Sequence, residues 1–272
     1  MQTITAQTMR MPKLGLGTWR LKGEDCTTAV LGALERGYRH IDTAQMYGNE
    51  DAIGAALAST KVKRSDIHLT TKVWYENLAP AAMRRSIEAS LKQLRTDYVD
   101  LYLIHWPAPD MDLPAALGEM VKLREQGLAR DIGVSNFTVK LLRQAVEEIQ
   151  APIACNQVEY HVLLDQSKLI AYARSKGVAI TAYCPLAQGK LAEHPALDAI
   201  AKKHGATAAQ VAVKWLLDQD GVAAIPKAGR AASQQANLDA LKVLLDDADR
   251  AAIAALPKNV RCVNASWAPV WD

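Results

Sequence analysis

Residues 67–105 read IHLTTKVWYENLAPAAMRRSIEASLKQLRTDYVDLYLIH and hold one helical pattern between two short apolar runs. Pro80 stands near the start of the helical pattern, where proline is well tolerated. Four apolar side chains fall on one face of that helix: Met83, Ile87, Leu91 and Leu94. The flanking runs, from Ile67 and from Tyr98, are short and apolar-rich, as strands are. The segment therefore predicts two parallel strands joined by a helix that covers them.

The same alternation extends along the chain. Eight apolar-rich runs are separated mostly by helical patterns: LGLG from Leu14, RHID from Arg39, IHLTTKV from Ile67, YVDLYLIH from Tyr98, ARDIGVS from Ala129, IACNQVEY from Ile153, VAITAYCPL from Val178 and VAAIPKA from Val222. Eight such units in 272 residues predict an α/β fold, a (β/α)8 TIM barrel.

No Gly/Ser-rich linker or change in composition divides the chain, so residues 1–272 are predicted to form a single domain. The first dozen residues precede the first strand, and we expect them to form a short N-terminal cap over the barrel bottom. Two helix patterns between His194 and Gly221 predict extra helices before the eighth strand. Further helices are expected at the C-terminus.

The composition is that of a globular protein with a sizeable core: 50% of the residues are hydrophobic and 22% are charged. A net charge of +3 is too small to suggest a nucleic-acid surface. The four cysteines lie far apart and have no zinc-like spacing, and no secretory or membrane-spanning segment is apparent. These features predict a cytoplasmic protein with reduced thiols and with neither a nucleic-acid nor a membrane partner.

A doubly wound nucleotide-binding fold is the structural alternative. The segment GLGTWR offers Gly15 and Gly17, but Arg20 stands where a third glycine is needed, and no helix pattern begins there. The dinucleotide fingerprint requires both features. Any nucleotide site must therefore be built in another way.

Reactive side chains follow the ends of three neighbouring predicted strands. Asp42 ends the second strand, Lys72 lies near the end of the third, and His105 ends the fourth. Tyr47 follows in the loop after the second strand. Chemistry in such barrels gathers at the carboxyl ends of the strands, so we expect these four side chains to converge. A single strand-end Asp, Lys or His is usually structural; the convergence is what favours a catalytic site.

The four residue types suggest how a proton could be supplied. Asp42 and Lys72 can neutralise each other, which makes burial of either tolerable. A positive charge on Lys72 beside Tyr47 is expected to lower the phenol pKa. Tyr47 could then give a proton to an oxygen that gains negative charge, while a neutral His105 holds that oxygen in place. Three tryptophans beside these positions could wall an apolar pocket: Trp19, Trp74 and Trp106.

At these residues the sequence resembles the aldo-keto reductase family. Three segments carry the resemblance: GYRHIDTAQMYGNEDAIG from Gly37 to Gly54, RDIGVSNF from Arg130 to Phe137, and IPKAGRAASQQAN from Ile225 to Asn237. The pieces TTKVW and LIHWP add to it, and within the family the chain looks most like the bacterial 2,5-diketo-D-gluconate reductases. The resemblance implies reduction of aldehydes and ketones with NADPH, which lies extended across the barrel mouth.

The resemblance also implies roles for individual residues. The catalytic tetrad would be Asp42, Tyr47, Lys72 and His105, with Tyr47 as general acid. The cofactor contacts would be Ser135, Asn136 and Gln157 at the carboxamide, Tyr183 stacked on the nicotinamide, and Thr18, Leu186 and Gln188 along the ribose and pyrophosphate. Because the C-terminal loop of the family helps shape the substrate pocket, Trp267 joins Trp19, Trp74 and Trp106 as an expected pocket residue.

The third segment departs from the family pattern. Lys227 and Arg230 could still hold a 2′-phosphate, and Asn237 stands where an adenine contact is expected. Three usual polar residues are replaced, by Ala228, Ser233 and Ala236. We therefore expect NADPH to be preferred, with weaker discrimination against NADH.

Two other functions are compatible with parts of the pattern. A metal-dependent hydrolase on the same barrel could take ligands from His40, Asp42 and His105, and His161 lies two residues past Glu159 as a further pair of candidates. Lys72 would be out of place among such ligands. A catalytically silent NADPH-binding sensor is the second alternative.

For the leading hypothesis, the expected substrates are keto-sugar acids such as 2,5-diketo-D-gluconate, methylglyoxal-like dicarbonyls, β-keto esters and simple aldehydes. The expected assembly state is a monomer.

Overall fold

A short antiparallel hairpin begins the chain in the computed structural model, which describes residues 2–191 and 194–272. Strand β1 (Thr3–Ala6) pairs with β2 (Met9–Pro12). Alternate side chains of the hairpin are buried: Ile4, Ala6, Met9 and Met11. They belong to one apolar cluster with Leu101 and Leu103 of a central strand. The hairpin therefore buries one face against the central sheet.

Eight parallel strands form that sheet, and each is a neighbour of the next one along the chain. They are β3 (Leu16–Gly17), β4 (His40–Asp42), β5 (His68–Val73), β6 (Val99–Ile104), β7 (Ala129–Ser135), β8 (Ile153–Glu159), β9 (Ala179–Tyr183) and β10 (Val222–Ala224). Each strand lies within one of the eight predicted runs. The predicted α/β class with eight parallel strands is confirmed.

Hydrogen bonds join the first and last strands of the sheet, which curls it towards a barrel. The Gly15 N–H donates to the Ala224 carbonyl at 2.9 Å, and the Ala224 N–H donates to the Lys13 carbonyl at 2.7 Å. A further bridge links Gly17 with Lys227. A Cβ atom on Gly17 would stand 2.5 Å from the carbonyl oxygen of Ile225, so only glycine permits this approach. The arrangement is consistent with a (β/α)8 barrel.

Ten helices accompany the strands in the described part of the chain. They are α1 (Gly23–Glu35), α2 (Glu50–Ser59), α3 (Pro80–Leu94), α4 (Leu113–Glu125), α5 (Val139–Arg143), α6 (Ser167–Ser175), α7 (Pro195–Lys203), α8 (Ala208–Leu217), α9 (Ala231–Asp239) and α10 (Asp247–Ala254). A π-helical turn, Gln144–Glu148, continues α5. None of the helices in residues 2–191 and 194–272 has the length and apolar character needed to cross a membrane.

Helix α3 shows how the sequence pattern becomes packing. It begins at Pro80, and the four residues of the predicted stripe are all buried: Met83, Ile87, Leu91 and Leu94. The helix stops at Arg95, whose left-handed backbone (φ 53°) ends the helical run. The buried stripe belongs to the main hydrophobic core, and α3 joins the end of β5 to the beginning of β6.

Candidate active site

A buried ion pair lies at the carboxyl ends of β4 and β5. The Lys72 Nζ is 2.6 Å from Oδ1 of Asp42, and both side chains are almost completely shielded from solvent. Lys72 also donates to the Thr43 carbonyl at 2.7 Å, and the Gln157 Nε2 donates to Oδ2 of Asp42 at 2.7 Å. Both carboxylate oxygens are therefore bonded, which is the condition under which a buried pair is tolerated. The predicted contact between Asp42 and Lys72 is present.

Tyr47 stands beside this pair at the end of a 3₁₀ turn, Gln45–Tyr47. The turn stops at Gly48, which has a left-handed backbone (φ 57°). The Lys72 Nζ lies 5.1 Å from the centre of the Tyr47 ring, and the His105 ring lies 5.5 Å from it. The three predicted strand-end residues and Tyr47, from the loop after β4, therefore do meet.

The expected lowering of the Tyr47 pKa is wrong. Burial raises the pKa of Tyr47 well above its usual value, and the negative charge of Asp42 raises it further. The Lys72 ammonium does not produce the expected lowering, because it is bonded to Asp42 and Thr43. Within the described residues, the Tyr47 hydroxyl has no hydrogen bond. Tyr47 is thus a neutral phenol that keeps its proton at any physiological pH.

His105 directly follows β6, and its backbone continues the strand. Its N–H donates to the Val73 carbonyl at 3.0 Å, and its own carbonyl accepts from Nδ2 of Asn136 at 3.0 Å. Burial, and then the positive charge of Lys72, lower the pKa of His105 well below its usual value. The imidazole is therefore neutral, as the sequence interpretation required.

Glu50 is a buried carboxylate that sequence reasoning did not assign. It accepts hydrogen bonds from the hydroxyl of Thr71 at 2.5 Å and from that of Ser90 at 3.0 Å. Burial raises the pKa of Glu50, although these two hydrogen bonds oppose the rise. Glu50 ties α2 to β5 and α3 directly behind Lys72. Its position three residues after Tyr47, inside the first family-like segment, was the available signal.

A second polar group lies at the ends of β7, β8 and β9. The Ser135 hydroxyl donates to the Gln157 carbonyl at 2.7 Å, and the Tyr183 hydroxyl donates to Oδ1 of Asn136 at 2.7 Å. Asn136 has a left-handed backbone (φ 63°), which turns its amide towards His105. Since Gln157 also bonds Asp42, this group and the ion pair form one connected network.

The remaining predicted cofactor contacts lie on loops around the same mouth. The hydroxyl of Thr18, after β3, donates to the Asp42 carbonyl at 2.9 Å, which fixes that loop to β4. Leu186 is half-buried and Gln188 is exposed on the loop after β9. Gln188 has a left-handed backbone (φ 53°) and lies 3.8 Å from the Cys184 sulfur.

Aromatic rings surround the mouth. The Trp74 ring lies 5.3 Å from His105 and 5.9 Å from Trp267, so the C-terminal segment reaches the tetrad side of the barrel. Trp19 is 44% exposed and lies 4.8 Å from Tyr47. Trp106 is instead buried, and its neighbouring ring is Trp271. A groove of about 490 Å³ runs between residues 107–114 and 267–270, and Trp267 forms part of its wall.

A family model described as the Aldo/keto reductase family matches residues 13–258. The chain belongs to this family. Aldo/keto reductases are oxidoreductases that reduce carbonyl groups with a nicotinamide cofactor, and this is the reaction class of the protein.

Known aldo/keto reductases resemble the chain along nearly its whole length. Methylglyoxal reductase DkgB of Escherichia coli O157:H7 is 42% identical over 268 residues, which cover 97% of this chain and 100% of that protein. An aldo-keto reductase of Mycobacterium sp. (strain KMS) is 40% identical over 92% of this chain and 91% of that protein. A crystal structure described as a 2,5-diketo-D-gluconic acid reductase B has a TM-score of 0.97 and 40% identity, and covers 100% of this chain and 98% of that one.

The third family-like segment of this aldo/keto reductase lies along the same edge of the mouth. Lys227 pairs with Gly17, one residue before Thr18, and both Lys227 and Arg230 are exposed. Arg230 directly precedes α9, whereas Asn237 within α9 is only 7% exposed. Sequence reasoning missed Gln234, which is buried. Its Nε2 donates to the carbonyls of Ala29 and Ala228, fastening α9 to α1.

Of the ligands considered for the hydrolase alternative, His40, Asp42 and His105 do not converge within the described residues. His40 lies at the opposite end of β4 from the mouth and packs against His68, with ring centres 5.0 Å apart. Within residues 2–191 and 194–272, the one convergent group of three possible metal ligands is Glu159, His161 and Cys262. All four tetrad residues are present and lie close together, so no feature of the described residues favours a catalytically silent sensor.

Proposed function

We propose that this enzyme reduces small aldehydes and ketones to alcohols with NADPH, and that Tyr47 donates the proton. The observation that carries the proposal is the buried Asp42–Lys72 pair beside a neutral phenol that faces a neutral imidazole. A weak acid that keeps its proton, a fixed cation next to it and a hydrogen-bonding ring are the groups that a carbonyl oxygen needs as it becomes an alkoxide.

Each residue of the tetrad then has a separate task. Tyr47 gives its hydroxyl proton to the carbonyl oxygen, and the neutral His105 orients that oxygen by a hydrogen bond. Lys72 stabilises the phenolate that remains on Tyr47 until solvent returns the proton. Asp42 keeps Lys72 charged and in place. The hydride for the carbonyl carbon is the chemistry that a bound nicotinamide supplies.

The residues at the ends of β7, β8 and β9 suit a nicotinamide. Gln157 uses its Nε2 on Asp42, which leaves its amide oxygen as an acceptor for a carboxamide N–H. Ser135 and Asn136 add hydroxyl and amide groups of the same kind, and Tyr183 presents an aromatic ring held by its bond to Asn136. Thr18, Leu186 and Gln188 would line the path of the ribose and pyrophosphate.

Two exposed cations support a preference for NADPH. Lys227 and Arg230 stand within four residues of one another before α9, where a 2′-phosphate can be neutralised from two sides. Ala228 and Ser233 replace side chains that would add to this binding, so we propose that NADH is also accepted, with lower affinity. Asn237 would contact adenine through its small exposed surface.

The proposed substrates are short and polar. The relatives are named for methylglyoxal and for 2,5-diketo-D-gluconic acid, and the aromatic mouth can accept a compact carbonyl compound. We therefore propose keto-sugar acids such as 2,5-diketo-D-gluconate, methylglyoxal-like dicarbonyls, β-keto esters and simple aldehydes. Trp19, Trp74, Trp106 and Trp267 would form the walls of the pocket.

Replacement of Tyr47 by phenylalanine tests the proposal. The Tyr47→Phe enzyme should lose reduction of every carbonyl in a panel of these classes, since phenylalanine lacks the hydroxyl proton that the proposal assigns to Tyr47. NADPH binding, followed by fluorescence, should change little because the ring remains. The reaction is followed by the loss of NADPH absorbance.

The matched control is Tyr98→Phe, which changes a tyrosine that lies between Arg64 and Arg130, outside the site. It should retain the wild-type rate. Tyr47→Phe enzyme with the wild-type rate would remove Tyr47 as proton donor. A wild-type enzyme that oxidises NADPH with no member of the panel would refute the proposed reaction.

The finer parts of the architecture belong to the same proposal. The N-terminal hairpin would close the barrel bottom, while α7 and α8 before β10, and α10 after it, would be additions to a single domain.

We also propose a monomer in a reducing cytoplasm, in keeping with four cysteines that are all free. Size-exclusion chromatography with light scattering tests the assembly state.

A further inference from the structure

Three side chains that the proposed reduction does not use converge beside its network. Glu159 ends β8, His161 follows two residues later, and Cys262 lies in the C-terminal segment. One oxygen, one nitrogen and the sulfur of these residues all lie within 4.8 Å of one another. Glu159 and His161 are fully buried, while Cys262 is half-buried and gives access to the group.

The spacing suits a bound ion. The His161 Nε2 is 3.0 Å from Oε1 of Glu159 and 3.9 Å from the sulfur of Cys262. In a tetrahedral zinc site, with bonds of about 2.0–2.3 Å, neighbouring donor atoms stand roughly 3.3–3.6 Å apart. Each of the two distances would need to change by only a few tenths of an ångström.

The group is not arranged as a nucleophile with its base. Nδ1 of His161 accepts a hydrogen bond from the Leu163 N–H at 3.3 Å. The ring proton is therefore on Nε2, which donates a hydrogen bond to Glu159. Burial, and then Glu159, raise the pKa of the Cys262 thiol, so no thiolate is prepared. Burial would raise the pKa of Glu159, but hydrogen bonds from His161 and from the N–H groups of Cys262 and Val263 lower it. A buried carboxylate anion thus faces a sulfur and a nitrogen.

We propose that Glu159, His161 and Cys262 form a binding site for a divalent transition-metal ion of the zinc class. A carboxylate, an imidazole and a thiolate are ligands that zinc takes together, with a fourth position left for water. On binding, the thiol loses its proton to solvent, and the ring proton moves from Nε2 to Nδ1. Two hydrogen bonds are given up: the one that Nε2 donates to Glu159, whose oxygen then binds the ion, and the long one that Nδ1 accepts from Leu163. The ion would tie the C-terminal segment to the end of β8, next to Tyr183, the partner of Glu159 on β9.

Cobalt titration of the reduced full-length protein tests the site, because cobalt bound to a thiolate gives a charge-transfer absorption band. We expect one ion per chain, the spectrum of tetrahedral cobalt, and displacement by zinc. Calorimetry of zinc binding in two buffers of different ionisation enthalpy should show about one proton released. Absence of saturable binding by the wild-type protein would overturn the proposal.

The variants Cys262→Ser and Cys184→Ser form a matched pair, since both cysteines are half-buried and only Cys262 belongs to the group. Cys262→Ser should lose the charge-transfer band and bind zinc at least roughly tenfold more weakly, whereas Cys184→Ser should bind as the wild type does. Equal losses in the two variants, or unchanged binding by Cys262→Ser, would overturn the ligand set. Cys262→Ala serves as a second variant if serine disturbs folding, which thermal unfolding without metal reveals.

Discussion

Lys72 carries a positive charge where burial disfavours it. Burial lowers the pKa of Lys72 below its usual value, although Asp42 acts in the opposite direction. The pair is stable because Gln157 and Thr43 supply the remaining hydrogen bonds. Removing one partner of such a pair leaves an uncompensated charge, which is more damaging than removing both.

The Lys72→Met enzyme should therefore be both inactive and unstable. We expect its free energy of unfolding to fall by about 3–5 kcal/mol, because Asp42 is left buried without a cation. Urea denaturation followed by circular dichroism measures the change. The double variant Asp42→Asn/Lys72→Met should recover part of the loss.

Lys176→Met is the control for this comparison. Lys176 pairs with Glu147 on the surface, so its removal should leave the urea midpoint nearly unchanged. A Lys72→Met enzyme as stable as Lys176→Met would mean that the Asp42–Lys72 pair does not hold the site together.

Arg230 is the residue on which cofactor choice should depend. An Arg230→Ala enzyme would lose the charged hydrogen bond proposed for the 2′-phosphate, so KM for NADPH should rise roughly ten- to hundredfold while KM for NADH changes little. Steady-state kinetics with both cofactors measure the two values. Arg85→Ala, which removes an exposed arginine on α3, should alter neither. Equal effects of Arg230→Ala on the two cofactors would remove Arg230 from this role.

Residue positions could be predicted more reliably than their electrostatics. Asp42, Lys72 and His105 follow from strand ends, because parallel strands bring their carboxyl ends to one rim. The direction in which the Tyr47 pKa shifts could not be predicted in this way, since the shift depends on how far the folded chain removes the hydroxyl from water. Glu50 was missed because its role also depends on the folded chain: its partners Thr71 and Ser90 belong to other elements.

At the scale of elements, α2 and α3 pack at Gly54. A Cβ atom there would stand 2.1 Å from the carbonyl oxygen of Gln93, which is backbone and cannot move aside cheaply. Gly54→Ala should therefore lower the free energy of unfolding by about 1–3 kcal/mol, as overpacking does. Activity should fall as well, because α2 carries Glu50. Thermal unfolding and steady-state assays measure the two effects.

Gly118→Ala provides the matched control within α4. In the described part of the chain, no atom other than the neighbouring backbone of α4 lies within 4 Å of the position its Cβ would take, and its own backbone is helical. Alanine should raise the free energy of unfolding there by about 0.5–1 kcal/mol. If both variants changed stability in the same direction, the helix contact at Gly54 would not explain the result.

The helical period predicted α3 well because one face of that helix is buried along its whole length. The first barrel strand was less predictable. Of the run LGLG from Leu14, only Leu16–Gly17 is a strand, since Leu14 makes an isolated bridge to Ala224 at the far end of the chain. The π-helical turn after α5 left no signal in the periodicity. Local pattern therefore predicts elements whose partners are adjacent in sequence.

At the scale of the whole molecule, contacts between distant parts of the chain were beyond the sequence pattern. Cys262 reaches His161 across 101 positions, and Trp267 reaches Trp74 across a still longer separation. Neither C-terminal residue has a motif around it that names its partner. The family resemblance pointed to a C-terminal contribution to the pocket, but only the folded chain relates Cys262 to Glu159.

The end of the barrel opposite the site holds two histidines that are buried without charge. Burial lowers the pKa of His40 to about 4 and that of His68 well below its usual value. His40 donates through Nδ1 to the Pro12 carbonyl at 3.1 Å, while its Nε2 and that of His68 have no partner in the described residues. Neither ring can accept a proton without leaving a charge in the core.

This arrangement predicts a loss of stability in mild acid. In the unfolded chain His40 takes up a proton near its ordinary pKa of 6.5, but in the folded protein it does so only near about 4. The unfolded state therefore binds more protons as pH falls through this window, and the free energy of unfolding should drop by about 3 kcal/mol from His40 alone. Above pH 6.5 this effect is absent.

Urea denaturation at a series of pH values, for the wild type and for His40→Asn, isolates the contribution of His40. Asparagine keeps a donor for the Pro12 carbonyl but does not titrate, so the variant should show a flatter dependence between about pH 6.5 and pH 4.5. Burial raises the pKa of Glu50, which acts in the opposite direction, but Glu50 is present in both proteins and its effect cancels in the difference. Parallel curves for the two proteins would show that His40 takes up its proton in the folded state near its ordinary pKa. This end of the barrel would then tolerate the charge.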